Sequence, residues 1–400
     1  MSLRIREVPR TIWVLGFVSM FADISSEMIH SLLPVFLVGS LGASVTLVGL
    51  IEGVAEATAA LTKVFSGWLS DRMGRRKLLT VFGYGLALIT KPIFPLAHTP
   101  YEVLVARFLD RIGKGVRDAP RDALVADVTP EPLRGASYGL RQSLDTVGAF
   151  AGPLAAVGLM AAFNGNMRTV FGFAIIPAIV AISVLVLGVK EPVGSTRPRA
   201  RKSSIRWSDV GSIGTSFWIA VAVGVLFTMA RFSEAFLVLR GARAGIPLTL
   251  VPFIMIVMNV VYAIASAPVG SLSDTVGRKP VLASGIAVLL IADLVLAFAG
   301  DVAGVLIGVA LWGLHLGLTQ GLLAALVADS APIRLRGTAF GLFNLATGIT
   351  MLAASVLAGV LWSARGPSLT FLTGGVFAVI ALVGALALLK EVRVVTGTAA

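Results

Sequence analysis

Asp23 and Glu27 lie four residues apart, one helical turn, and His30 follows at the next turn. Glu52 and Glu56 repeat the spacing, and Arg141 and Asp145 set a base and an acid across it. The densest stretch reads RFLDRIGKGVRDAPRDALVAD over residues 107–127. At about 100° per residue, Arg107, Asp110, Arg111, Lys114, Arg117, Asp118 and Arg121 fall within an arc of about 100–120° on a helix. Acids and bases so placed can handle a proton. A guanidinium beside a carboxylate favours the ionised acid, removal from water favours the neutral one, and moving the partners loads or unloads the proton. Beyond residue 200 such groups thin out to Arg231 with Glu234, His315 with Gln320, Asn344 and a lone Asp293.

The elements that position these groups are almost wholly apolar. The chain of 400 residues is 56% hydrophobic and 14% charged, with mean hydropathy +0.91, whereas a soluble domain is about a quarter charged. Stretches such as SIGTSFWIAVAVGVLFTMA (212–230) hold no charge, and roughly 20 apolar residues suffice to cross a bilayer. Twelve spans are expected, at 11–38, 45–70, 78–96, 100–126, 136–162, 169–189, 211–237, 248–271, 281–299, 302–328, 337–363 and 367–389. With both termini in the cytoplasm, only Arg168, Arg240, Arg243 and Arg365 of the 33 Lys and Arg fall on the outer side, while most lie in cytoplasmic segments. This is the positive-inside bias, so the net charge of +12 orients the protein and excludes a nucleic-acid footprint. The first apolar run is too long for a cleaved signal, and the absence of cysteine excludes disulfides and thiolate metal sites.

An ionisable group inside a span costs several kcal/mol unless it faces a partner or a cavity. The charged face of the fourth span must therefore turn into the bundle, against the carboxylates of the first, second and fifth. On this reading Asp23, Glu27, Arg107, Asp110 and Arg111 couple the proton. Glu52, Glu56, Lys114, Arg141, Asp145, Arg231, Glu234, His315 and Asn344 line the substrate cavity, with aromatics such as Trp218, Phe227, Tyr262, Trp312 and Phe343 as its apolar wall.

The chain repeats itself. GWLSDRMGRRKLL (67–79) returns as GSLSDTVGRKPVL (270–282), LVADVTPEPLRGASYGL (124–140) as LVADSAPIRLRGTAFGL (326–342), and Lys190-Glu191 as Lys390-Glu391. The offsets of 203, 202 and 200 agree, which gives two six-span halves of like orientation, 1–189 and 211–400. The polar, basic segment 190–210 between them is a cytoplasmic linker. Parallel six-helix halves place a binding cavity at their interface near the bilayer midplane.

GWLSDRMGRRKLL resembles the signature loop between the second and third helices of the major facilitator superfamily, G-x-x-x-D-R-x-G-R-R. The first copy matches in full through Gly67, Asp71, Arg72, Gly74, Arg75 and Arg76; the second keeps Gly270, Asp274, Gly277 and Arg278. The resemblance implies an all-α membrane fold of twelve helices in two pseudo-symmetric halves. It also implies a conformational latch: Asp71 facing the helix start near Gly337, Asp274 that near Gly135, with Arg75 paired to Asp127 and Arg278 to Asp329. Arg107 and Gly113 match the superfamily's R-x-x-Q-G-x-G motif, associated with proton transfer, although Asp110 and Arg111 stand where Gln and Gly are usual. GAFAGPLAA (148–156) is similar to its G-x-x-x-G-P-x-x-G-G motif of antiporting exporters through Gly148, Gly152 and Pro153, with Ala at 155 and 156. A kinked helix with a small-residue face suits packing against the opposite half.

The expected function is proton-coupled export of a small amphipathic or metabolite-like molecule by alternating access, in the plasma (inner) membrane, by a monomer whose partners are its substrate and the lipid bilayer. The alternative is proton-linked transport of an organic anion or metal chelate. Glu27-x-x-His30 has a spacing used by helical metal sites, but it occurs once, so no metal site is assigned. No cofactor is expected beyond the proton as coupling ion. No nucleotide-binding loop and no catalytic triad are present, and the chain does not read as an enzyme.

Overall fold

The computed structural model describes residues 7–189, 213–332 and 335–389. The linker at 190–210 and the Lys190-Glu191 and Lys390-Glu391 landmarks lie outside the described residues. The chain folds as two compact units, Met1–Ser204 with Ile246–Ile256, and Ile205–Gly245 with Val257–Ala400.

The first unit contains α1 (Arg10–His30), α2 (Val45–Met73), α3 (Arg76–Thr90), α4 (Pro100–Val128), α5 (Arg134–Ala162) and α6 (Ile175–Gly188). The second contains α7 (Thr215–Ala230), α8 (Phe253–Val276, whose first turn belongs to the first unit), α9 (Arg278–Phe298), α10 (Val302–Ser330), α11 (Arg336–Arg365) and α12 (Pro367–Leu388). With their short helical extensions, eleven of these segments are long and apolar enough to cross a membrane. The exception is α4, as long as α2 but too charged to qualify on composition. Its place in the series follows from position, not hydropathy.

Local chemistry fixes the helix starts. Ser44 accepts a hydrogen bond from Leu47 N at 3.2 Å to cap α2, and Asp301 accepts from Gly304 N at 2.8 Å to cap α10. Thr99 and Glu102 form a reciprocal capping box at α4, which satisfies amide groups that the first helical turn leaves free. Gly74 ends α2 with φ 63° and Gly277 precedes α9 with φ 98°, a backbone region in which a Cβ is strained. Both copies of the repeated phrase thus reverse the chain at the same glycine.

The two cores differ. That of the first unit gathers Ile12, Leu15 and Val18 of α1 against Leu124, Val125, Ala181 and Leu185. The second has an aromatic centre, where Phe232 lies 5.3 Å from Phe236, 5.5 Å from Trp312 and 5.4 Å from Phe371 between ring centroids.

Candidate functional site

The charged face of α4 is turned inward. Arg107, Asp110, Arg111 and Arg117 are buried, and Lys114, Asp118 and Arg121 are partly so. Glycine lets α4 approach its neighbours closely. A Cβ on Gly113 would meet the Gly83 carbonyl oxygen of α3 at 2.6 Å, and one on Gly115 would meet the Ala59 carbonyl oxygen of α2 at 2.8 Å. That closeness brings side chains of α2 and α3 within ion-pair reach.

The acids then sort themselves. Arg107 Nη2 donates to Glu52 Oε2 at 2.6 Å, with both residues buried. His30 Nε2 stands 3.5 Å from the same oxygen, and its Nδ1 stands 3.7 Å from Glu27 Oε2. A continuous chain Glu27–His30–Glu52–Arg107 therefore joins α1, α2 and α4. Arg111 pairs with Glu56 at 3.2 Å. Asp110 lies apart from this chain and accepts from Lys91, just beyond α3, at 3.1 Å; Lys91 also donates to Ser26 of α1 at 3.2 Å.

A second group lies further along α4. Arg121 donates to Ser19 Oγ at 2.8 Å and pairs with Asp118 at 3.6 Å. Arg117 covers the Tyr84 ring at 4.5 Å. Arg141 of α5 donates to Asp145 at 2.7 Å and reaches Asp122 at 3.8 Å.

Asp23 is half-buried and makes no hydrogen bond or ion pair among the described residues. It is confined by packing instead. A Cβ on Gly148 would stand 2.9 Å from Asp23 Cβ, and one on Gly152 would stand 2.7 Å from Glu27 Cβ and 2.9 Å from the Ile24 carbonyl oxygen. The small-residue face of α5 therefore closes on α1 of its own unit, at the two carboxylates. Pro153 lies within the same buried stripe.

The sites read from sequence are distributed as follows. Glu52 is the buried centre of the ion-pair chain; His30 belongs to that chain and Lys91 pairs separately with Asp110, and neither of these two had an assigned role. His315 is also fully buried, edge-on to Trp312 at 5.3 Å, and neither ring nitrogen has a hydrogen-bond partner among the described residues. Arg231 lies over Phe227 at 6.0 Å beyond the end of α7, and Glu234 opens the short helix Ala235–Arg243. Asn344 is half-buried on α11. Lys114 is half-buried and forms no ion pair among the described residues.

In the repeated loop, Gly67 packs toward Ala119 of α4 and Arg72 covers the Trp68 ring at 5.5 Å. Arg278 donates to Asp329, as expected. The partner of Asp127 is Arg76 at 2.8 Å, not Arg75, which is exposed. In each unit the pairing arginine is the first residue of its helix, α3 or α9. Arg75 fails because α3 begins one residue later than the repeat alone implies. The side chains of Asp71 and Asp274 lie outside the described residues. Among the described residues no group of three or more His, Asp or Glu could hold a metal ion.

Comparison with known proteins fits this architecture. The chain matches the model described as Major Facilitator Superfamily over residues 15–258 and 235–399. It is 30% identical to an uncharacterized MFS-type transporter of Methanocaldococcus jannaschii, with 94% of each chain covered. It is 24% identical to the inner membrane transport protein YajR of Escherichia coli, over 93% of this chain and 81% of that one. Among solved structures, the nucleoside transporter NupG superposes with TM-score 0.80 at 11% identity, covering 95% of this chain and 100% of that one. A peptide transporter superposes with TM-score 0.79 at 15% identity, covering 94% and 93%. At such identities these structures speak for the fold alone.

Proposed function

The chain belongs to the Major Facilitator Superfamily and is a multi-pass membrane transporter, not an enzyme; from this premise we propose that it couples proton movement to export of a small amphipathic or metabolite-like molecule by alternating access. The observation that supports this reading is the chain Glu27–His30–Glu52–Arg107, fully buried at Glu52 and Arg107. It crosses three helices, and it ends at Glu27 on the face of α1 that α5 clamps. A shift of α1 against α2 separates His30 from Glu52, leaving Arg107 as the counter-charge of Glu52 and carrying Asp23 and Glu27, both on α1, into new electrostatic surroundings in which one of them takes a proton. Static pairs would be an expensive scaffold, since buried ion pairs often contribute less than apolar packing of equal volume. We assign both termini to the cytoplasm and the working unit to a monomer in the plasma (inner) membrane.

The direct test is reconstitution into liposomes with an internal pH dye, screening candidate compounds for substrate-induced proton flux. Asp23→Asn and Glu27→Gln should each fold, and at least one should abolish pH-driven flux. Full flux in both variants would make the carboxylates structural and end the coupling assignment.

One observation favours an organic anion as the substrate. Arg107, Arg111 and Arg117 each keep a buried Nε–H without a hydrogen-bond acceptor among the described residues, and such unmet donors suit a carboxylate or phosphate. Inhibition of flux by anionic but not neutral amphiphiles in the same liposomes would select this alternative.

A further inference from the structure

Asp293 in α9 has no part in the network just described. It is completely buried, and among the described residues neither carboxyl oxygen has a hydrogen-bond partner. A Cβ placed on Gly374 of α12 would stand 2.8 Å from Asp293 Oδ2, 3.1 Å from Phe232 Cε1 and 3.2 Å from the Ala230 carbonyl oxygen. The carboxyl group therefore fills the space that Gly374 leaves empty and shares it with the last carbonyl of α7. There the helix stops, to resume only at Ala235, and carbonyls at a helix C-terminus lack the amide donors of the next turn.

The internal repeat shows what is unusual about this position. An offset of 202 carries Lys91 onto Asp293 and Asp110 onto Trp312. In the first unit those two residues form a buried ion pair. In the second, neither Asp293 nor Trp312 Nε1 has a hydrogen-bond partner among the described residues. The helix packing around them corresponds: Gly83 abuts Arg117, and Gly285 abuts Thr319, again 202 residues on.

Charged groups on the surrounding elements are engaged elsewhere. Arg240 donates to the carbonyl oxygens of Leu296 and Ala299, Asp301 caps α10, and Arg231 lies over Phe227. His315 is edge-on to Trp312, Glu234 and Arg243 bound the short helix after the break, and α12 carries no ionisable residue. A buried carboxylate with no counter-charge costs several kcal/mol, whereas the protonated acid is neutral and gains an O–H to donate.

We propose that Asp293 is a second proton-binding site, holding its proton while the end of α7 lies against α9 and α12 and releasing it when the break at Arg231–Glu234 draws away and admits water. The site is independent of the coupling assigned to α1, α2 and α4. It needs no substrate to be tested.

Infrared difference spectra of the purified full-length protein at neutral pH, wild type against Asp293→Asn, should show a protonated-carboxyl band that the variant lacks. An Asp23→Asn control should retain it. A group protonated in the fold contributes stability that is present at low pH and lost as pH rises, so the melting temperature of wild type should fall relative to Asp293→Asn toward alkaline pH. If Asp293→Asn does not fold, Gly374→Ala, which forces the carboxyl aside, should shift the same band. A carboxylate signature for Asp293 at neutral pH, parallel melting profiles, or loss of the band on adding sodium at constant pH would each overturn the proposal.

Discussion

The two units build one helix arrangement with opposite interior chemistry, most visibly in α4 and α10. Shifting by 202 residues maps Arg107, Asp110, Arg111, Lys114, Arg117, Asp118 and Arg121 onto Val309, Trp312, Gly313, Leu316, Thr319, Gln320 and Leu323. The close helix approaches survive this exchange. Gly115 presses on Ala59 and Thr62 of α2, and Gly317 presses on Ala265 and Ser266 of α8. The fold is therefore carried by glycine-mediated packing and apolar surface, which both units have. Buried ion pairs are an addition that, among the described residues, only the first unit makes, and their cost points to function rather than to assembly.

The largest effect should come from splitting the central pair. Arg107→Ala leaves Glu52 buried with only His30 beside it, and breaking a buried pair costs about 3–5 kcal/mol. The melting temperature in detergent should fall steeply, and Glu52→Gln in the same protein should recover part of the loss. If Arg107→Ala melts like wild type, the first unit's charges are as dispensable as their counterparts in α10. Arg107→Lys should keep most of the stability but lose proton-coupled flux, because an ammonium lacks the planar fork that holds a carboxylate while His30 shifts.

The reach of the sequence follows the same division. The inward face of α4 is legible because seven charged residues at helical spacing cannot face lipid. Their partners are not. Which acid meets Arg107 depends on how far α2 slides along α4, which Gly115 and Ala59 decide in space, and Lys91 is a single residue at the end of an apolar span. The repeat is legible to a residue, yet the start of α3 is not, so the repeat alone favours Arg75 over Arg76. Asp293 stands out as a lone acid, but its isolation emerges only when Trp312 is found where its partner would be.

Glycine substitutions should give intermediate effects and sharpen the comparison. A Cβ at Gly83 would strike backbone, at 2.6 Å from Gly113 O and 2.8 Å from Arg117 N; at Gly285 the obstacles are chiefly side-chain atoms of Thr319 and Leu318. Side chains yield where backbone does not, and overpacking costs about 1–3 kcal/mol. Gly83→Ala should lie toward the upper end of that range and Gly285→Ala below it, read from denaturation midpoints. Equal losses would mean that the two units are packed with equal rigidity. In the same way Gly152→Ala should destabilise the packing of α1 on α5 and slow transport, while Gly158→Ala, with open space around it, should do neither.

The smallest effect separates sequence register from helix position. The phrase offset of 203 aligns Arg75 with Arg278, but the offset of 202 between Asp127 and Asp329 aligns Arg76 with Arg278, and the structure forms Arg76–Asp127. The first residue of a helix projects its side chain back toward the preceding segment, so helix position selects the partner. Both groups are partly exposed, at 12% and 21%, which limits the pair to about 0–1 kcal/mol. Stability alone is a weak probe, so the coupling must be measured. A double-mutant cycle of Arg76→Ala with Asp127→Ala should return a coupling of a few tenths of a kcal/mol that fades with added salt, as a solvent-accessible pair requires. The same cycle with Arg75→Ala should return none. A larger coupling for Arg75 than for Arg76 would mean that α3 begins where the repeat places it, and that the two loops are alike in structure as well as in sequence.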